Sequence, residues 1–169
     1  GLGTSSTFAV GMLNAFYALK GKYAGKQKLA EDAIYLEREL CRELGGWQDQ
    51  VAAAYGGLNR IDFADGQFKV SPIIIHPERK MMLNNRLMLF YTGRSRFSSE
   101  IQKSTFSNAA DNTHMLKEML SLVDDAQKNL EDNHSDLNDF GRLLDYTWQL
   151  KKKTGSMVSN GYIDELYNR

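Results

Sequence analysis

The chain opens with glycines and hydroxyl side chains that run directly into an apolar segment. This opening cluster consists of Gly1, Gly3, Thr4, Ser5 and Ser6. Glycines let a ligand approach the main chain closely, and hydroxyl and free amide groups at a helix N-terminus attract phosphate. The cluster lacks the Lys-Ser/Thr ending of a Walker loop, so the pattern favours a different phosphate-binding loop. An ordinary helix cap and turn would use the same residue types.

A second candidate cluster surrounds the pair Gly45-Gly46. Glu37 lies in a predicted helix before the glycines, and Trp47 and Asp49 follow them. Phosphoryl transfer needs mainly positioning, Mg²⁺ and a group that accepts the proton of the attacking hydroxyl, and Asp49 could be that acceptor. In the alternative, Asp49 caps the following helix, Glu37 is a solvated carboxylate and Trp47 packs in the core.

Two arginines form a third candidate group. Arg94 and Arg96 follow the apolar run 87–91 in a loop of Gly and Ser residues, where a guanidinium could clamp a phosphate group. Ordinary solvated arginines are the alternative. For Lys151, at a predicted helix end, phosphate binding stays open. The three histidines are far apart and lack metal-ligand spacing.

Mostly helical elements must position these groups. Apolar residues at helical spacing predict a buried helix over 7–19 and helices over 26–44, 48–55, 98–108, 115–130 and 137–151, with a short one from about 162. Ser135 is the predicted N-cap of the helix over 137–151. A turn at 64–67 predicts a hairpin of strands 58–63 and 68–75, and the run 87–91 predicts a buried strand. A lobe boundary is expected within 72–85, where both prolines lie.

Composition excludes several classes of function. The chain has 169 residues, of which 42% are apolar, and its 21 basic residues balance 21 acidic ones. This balance disfavours duplex nucleic acids and membrane surfaces as partners. No apolar run approaches the ~20 residues of a membrane helix, and the single cysteine, Cys41, forms no internal disulfide. We therefore expect a cytoplasmic protein; the sequence predicts no oligomeric state.

Both clusters fit one known family. The stretch GLGTSSTFAVGMLNAFYAL resembles the second conserved motif of the GHMP kinases, the superfamily of galactokinase, homoserine kinase and mevalonate kinase. The stretches LEREL and GGWQDQVAAAYGGLNRIDF look like its glutamate-bearing helix and aspartate-bearing loop. YTGRSRFSSEI and WQLKKKTGSMVSNGYIDELY look like the branch of D-glycero-D-manno-heptose 7-phosphate kinases, with fucokinase-like members next.

The resemblance implies an α+β fold in two lobes. Residues 1–80 would be the C-terminal portion of a ribosomal-protein-S5-like nucleotide-binding N-lobe, and 81–169 part of a ferredoxin-like C-lobe. The opening cluster would wrap the phosphates of ATP, with Ser5 and Glu37 as Mg²⁺ ligands. Asp49 would be the general base or an orienting charge at the sugar hydroxyl, and Trp47 beside it would contact the sugar. Arg96 matches an arginine of the family, and Arg94 and Arg96 would bind a phosphate that the sugar already carries.

The implied reaction is ATP-dependent phosphorylation of a small-molecule sugar or sugar phosphate, on the anomeric hydroxyl of a heptose 7-phosphate. Two further family motifs would lie before Gly1 and after Arg169, so we expect the chain alone to be inactive. Fucose, galactose or a mevalonate-like acid are alternative acceptors. A noncatalytic, helix-rich module that binds a protein partner is a different class of answer, and it has no need for Ser5, Glu37 and Asp49 to converge.

Overall fold

A computed structural model describes residues 3–93, 112–155 and 158–169. Gly1, Arg94, Arg96 and the predicted helix over 98–108 lie outside these residues. The chain forms two compact units, Gly1–Pro72 and Ile73–Arg169. The assignment of 1–80 to an N-lobe and 81–169 to a C-lobe stays a prediction.

The first unit contains three α-helices, one π-helical turn and one hairpin. These elements are α1 (Thr4–Leu19), α2 (Lys26–Tyr35), the π-helical turn (Leu36–Leu40), α3 (Gln48–Tyr55), β1 (Asn59–Ala64) and β2 (Gln67–Pro72). The helix predicted over 26–44 therefore ends at Leu40, and its last five residues are wound as a π-helix.

The core of the first unit lies between α1 and α2. Ala9 and Val10 of α1 pack with Leu29 and Ala33 of α2, and residues of α3 pack against them. The first helix was predicted to be buried, but the structure buries only one side of it: Phe8 is 71% exposed, and Phe16 and Leu19 are exposed as well. Only one side of α1 packs on the core, and this packing determines how α1 is oriented relative to α2 and α3.

The predicted hairpin is confirmed, with β1 shifted by one residue and β2 two residues shorter than expected. β1 and β2 pair antiparallel, and Ala64 faces Gln67 across a two-residue turn of Asp65 and Gly66. The ring of Tyr55 meets that of Phe68 edge-on, with centroids 6.3 Å apart. This contact attaches the hairpin to the end of α3.

The second unit is helical in its described part. Its helices are α4 (Pro77–Asn84), α5 (Thr113–Glu131), α6 (Leu137–Lys153) and α7 (Gly161–Tyr167). The predicted helices over 115–130, 137–151 and from about 162 are confirmed, whereas α4 was missed. Asp136, and not the predicted Ser135, is the N-cap of α6: its carboxylate accepts from the amide of Asn138 at 2.9 Å.

One predicted element of this unit is wrong. Residues 87–91 form no strand, and their side chains are 56–88% exposed. An apolar run of five residues satisfies the pattern of a buried strand, but burial needs a partner surface that the pattern cannot supply. The helices and the antiparallel hairpin of the described residues agree with the predicted α+β class. In the described residues, no helix has the length and apolar content needed to cross a bilayer.

Candidate active site

The structure brings Gly3 of the opening cluster close to Asp49. Gly3 is the N-cap of α1 and has left-handed backbone angles, φ 68° and ψ 22°. A Cβ atom added at Gly3 would lie 3.9 Å from both Cγ and Oδ2 of Asp49. Asp49 itself occupies the first turn of α3, where its side chain is exposed. A carboxylate open to solvent thus lies beside the main chain at the start of α1.

The N-terminus of α1 is suited to bind an anion. The first amide groups of any helix lack partners within the helix, and the helix dipole places partial positive charge there. No side chain caps α1, and Thr4 and Ser5 are exposed at its start. Asp49 does not cap α3 either, because the N-cap position belongs to Trp47 and no side-chain capping bond is formed. The predicted alternative of Asp49 as a helix cap is therefore wrong.

Glu37 contacts Ser6 of the opening cluster and belongs to a buried set of polar side chains. Its side chain is only 5% exposed, and its Oε2 accepts a hydrogen bond of 3.0 Å from the hydroxyl of Ser6. The amide nitrogen of Gln50 donates to the same Oε2. The other carboxylate oxygen, Oε1, is buried and has no hydrogen-bond partner in the described structure. The alternative of Glu37 as a solvated surface carboxylate is therefore wrong.

The π-helical turn, which contains both Glu37 and Arg38, positions this carboxylate. Leu36, the first residue of this turn, packs against the core, and the next residue, Glu37, is buried. The guanidinium of Arg38 donates to the main-chain oxygens of Glu43 at 3.0 Å and Gly46 at 2.5 Å. A Cβ atom at Gly45 would come within 2.7–2.9 Å of that guanidinium. Arg38 thereby ties the segment that leads into α3 to the helix that carries Glu37.

Two of these residues, Arg38 and Gln50, were not predicted as site residues. Gln50 precedes Ala53 and Ala54 by three and four positions, and both alanines pack against the core. Residues at these spacings share one face of a helix, so the sequence places an amide on the buried face of α3. That placement was the signal that could have identified Gln50.

The buried group fits the divalent cation that the sequence predicted. An unpartnered, buried carboxylate oxygen is the type of hard ligand that Mg²⁺ takes, and Mg²⁺ sites of nucleotide enzymes use one or two protein oxygens with substrate phosphates and water. Glu37 supplies such an oxygen, and the hydroxyl of Ser5 lies on the exposed start of α1. In the described ranges, no three His, Cys, Asp or Glu side chains converge, so protein carboxylates alone would not form a cage.

Trp47 contributes to packing as well as to the surface. Its ring meets Phe63 of β1 edge-on, with centroids 6.5 Å apart. It lines two clefts of about 500 and 450 Å³ toward the hairpin turn, and neither cleft is lined by Asp49. Contact of Trp47 with a sugar stays a prediction, as do the roles of Arg94 and Arg96.

Known proteins resemble this chain over nearly all of its length. Residues 1–57 match the family described as the GHMP kinases N terminal domain. The chain is 31% identical over 169 residues to the D-glycero-alpha-D-manno-heptose 7-phosphate kinase of Campylobacter jejuni, covering 99% of the chain and 50% of that protein. It is 30% identical to the L-fucokinase/L-fucose-1-P guanylyltransferase of Bacteroides fragilis, covering 92% of the chain and 17% of that protein.

A solved structure is similar too. A crystal structure from Campylobacter jejuni, described as that of a sugar kinase, superposes with a TM-score of 0.62 and 28% identity. The superposition covers 99% of this chain and 47% of that one. The chain thus spans half or less of the length of each of these relatives.

Proposed function

Because residues 1–57 of this chain are those of a GHMP kinase N-terminal domain, we propose that it carries part of the active site of an ATP-dependent sugar kinase. The enzyme transfers the γ-phosphoryl group to the anomeric hydroxyl of D-glycero-D-manno-heptose 7-phosphate. One observation supports this most directly: the Asp49 carboxylate lies against Gly3 at the start of α1, in the unit that also buries Glu37. A noncatalytic binding module has no use for that convergence.

Each part of the site has a distinct role in the proposal. Gly1, Gly3, Thr4, Ser5 and Ser6 bind the nucleotide phosphates. Ser5 and Glu37 hold Mg²⁺, which neutralises charge on the β- and γ-phosphates when it is bound. Asp49 accepts the proton of the sugar hydroxyl as its oxygen bonds to the γ-phosphorus and the bond to ADP breaks.

The remaining predicted residues belong to the acceptor side of the site. Arg94 and Arg96 bind the phosphate that the sugar already carries, and Trp47 contacts the sugar. Residues 1–80 are assigned to the nucleotide-binding lobe and 81–169 to the C-terminal lobe. The proposed partners are small molecules in the cytoplasm, and the segment alone is expected to be inactive.

Fucose is the second candidate acceptor. A relative with fucokinase in its name aligns with 92% of the chain at 30% identity, almost as high as the heptose phosphate kinase. A fucokinase would need no arginine clamp for a phosphate on its acceptor. Arg96→Ala should therefore raise KM for a sugar phosphate more than for an unphosphorylated sugar.

The decisive experiment measures ADP release by the full-length protein with Mg-ATP. The acceptors are a heptose 7-phosphate, fucose, galactose and mevalonate. Asp49→Asn should keep ATP binding near the wild-type value and lower turnover by a factor on the order of a hundred or more. Asp125→Asn is the matched control, since Asp125 is an exposed aspartate on α5.

Each outcome has a defined meaning. Turnover on one acceptor that is lost in Asp49→Asn and kept in Asp125→Asn supports both the kinase and its substrate. Unchanged turnover in Asp49→Asn contradicts the role of that residue. Absence of nucleotide binding by the wild-type protein would favour the noncatalytic module.

A further inference from the structure

The side chain of Gln50 is fully buried, which is unusual for a polar residue. Its exposed fraction is 0%, equal to that of its neighbour Val51. Burying an amide costs free energy unless its hydrogen bonds are satisfied. The amide nitrogen of Gln50 donates to Oε2 of Glu37, whereas its own oxygen has no hydrogen-bond partner in the described structure. The hydrogen bond that Gln50 donates to Glu37 therefore explains why this amide is buried.

The orientation of the Gln50 amide follows from charge. An ionised carboxylate only accepts hydrogen bonds, so the amide must present its nitrogen and not its oxygen to Glu37. Reversal of the amide would bring two acceptors together in a buried site. The contact therefore fixes both the Gln50 side chain and the carboxylate plane that it meets.

Both donors converge on one oxygen of Glu37. Ser6 donates to Oε2 at 3.0 Å from α1, and Gln50 donates to the same atom from α3. With Oε2 held from two sides, Oε1 is the carboxylate atom left for another partner. Groups that hydrogen-bond to a metal-binding carboxylate in this way set its orientation and affinity.

We propose that Gln50 is a positioning residue for the divalent cation of the nucleotide site. Together with Ser6 it holds Oε2 of Glu37, so that Oε1 is presented to the cation. This inference rests on the proposed function, in which Glu37 is a metal ligand. It also explains how α3 serves the site twice: Asp49 lies on its exposed face and Gln50, the next residue, on its buried face.

The test replaces Gln50 with methionine in the full-length protein. Met is unbranched and similar in length, so Gln50→Met removes the donor while it still fills the buried space. Binding of Mn²⁺ in the presence of ADP is measured from the electron paramagnetic resonance of free Mn²⁺, and binding of ADP alone is measured in EDTA. We expect Mn²⁺ affinity to fall by about tenfold or more, with ADP affinity in EDTA within about twofold.

The matched control is Gln127→Met. Gln127 donates to Glu131 at 2.9 Å on α5, so this variant also removes a contact from an amide to a carboxylate. Its Mn²⁺ affinity should equal that of the wild type. Should Gln50→Met not fold, Ser6→Ala is tested for Mn²⁺ affinity alone, because it removes the other donor to Oε2, adds no volume and keeps the main-chain amide of residue 6.

The outcomes separate this inference from the proposed function. Glu37→Gln should abolish the Mn²⁺ site. Unchanged Mn²⁺ affinity in folded Gln50→Met, or in Ser6→Ala if that variant is used, overturns the positioning role while a loss in Glu37→Gln keeps the ligand assignment. Unchanged affinity in Glu37→Gln overturns both.

Discussion

The approach of Gly3 to Asp49 leads to a prediction that separates backbone strain from binding. Gly3→Ala adds a methyl group at a residue with φ 68°. Left-handed backbone angles cost a residue with a Cβ atom about 1–2 kcal/mol. The new Cβ atom would lie 3.9 Å from the Asp49 carboxylate, which is an ordinary van der Waals distance, so no steric term is added. We expect the free energy of unfolding to fall by about 1–2 kcal/mol.

Gly21 offers a matched control in the same unit. Its φ is 64°, and a Cβ atom there would meet nothing within 4 Å. Gly21→Ala should therefore lower the free energy of unfolding in urea by the same amount, about 1–2 kcal/mol, in the full-length protein. Only Gly3→Ala places a methyl group where, in the proposed function, a phosphate would approach the main chain. Its Kd for ADP should rise by about tenfold, a difference of roughly 1.4 kcal/mol, while that of Gly21→Ala stays at the wild-type value.

Two results would refute this reasoning. If Gly3→Ala lowered the free energy of unfolding by several kcal/mol more than Gly21→Ala, the added methyl group would clash with a neighbouring group, and the distance to Asp49 would be shorter than the structure shows. If both variants bound ADP equally well after equal losses of stability, the start of α1 would not be the phosphate site. Isothermal titration calorimetry with ADP measures the second quantity directly.

Three further predictions concern the surroundings of the site and the second unit. Burial alone would raise the pKa of Asp32, but hydrogen bonds from Lys28 and Tyr17 outweigh burial, so the pKa is lowered. The ionised carboxylate therefore stabilises the folded state above the unfolded pKa, and this stabilisation is lost as the pH falls through the folded pKa. Between pH 7 and pH 3 the wild type should therefore lose more unfolding free energy than Asp32→Asn in urea titrations. Arg38→Met should lower kcat by about tenfold with little change in ADP affinity, because the segment leading to Asp49 loses its anchor; unchanged kcat would argue against that positioning. Arg79→Met should lower the free energy of unfolding in urea by about 3 kcal/mol or more, because its buried guanidinium donates to the main-chain oxygens of Asn129, Leu130 and Ser135. Arg142→Met removes only an exposed pair with Asp139 and should lower it by at most about 1 kcal/mol.

Local patterns predicted the regular elements well where a single periodicity was long. The helices over 115–130 and 137–151 repeat apolar residues through four or more turns, and they are present as α5 and α6. The hairpin was predicted from its turn residues, which act over only four positions. The run 87–91 failed because five apolar residues carry no information on the surface that would cover them.

The site was predictable to the extent that each residue type reveals its own chemistry. Hydroxyls before a helix and a carboxylate after two glycines are compatible with phosphate chemistry, but also with ordinary caps and turns, and the resemblance to the GHMP kinases favoured the first interpretation. The distance between them depends on how α1 packs on α2 and α3, which involves alanines that have no chemistry of their own, such as Ala9 and Ala33. No pattern within either cluster could give that distance.

The choice between a surface carboxylate and a site carboxylate for Glu37 also depends on packing. In sequence, Glu37 and Glu39 flank Arg38 and look equivalent on a charged helix. In the structure, Glu37 is buried and Glu39 is exposed, although both lie in the π-helical turn that begins at Leu36. A buried carboxylate is costly unless donors and a cation compensate it, and Ser6 and Gln50 supply donors to one oxygen only. The oxygen that they leave unpartnered is the strongest structural argument for the proposed cation at Glu37.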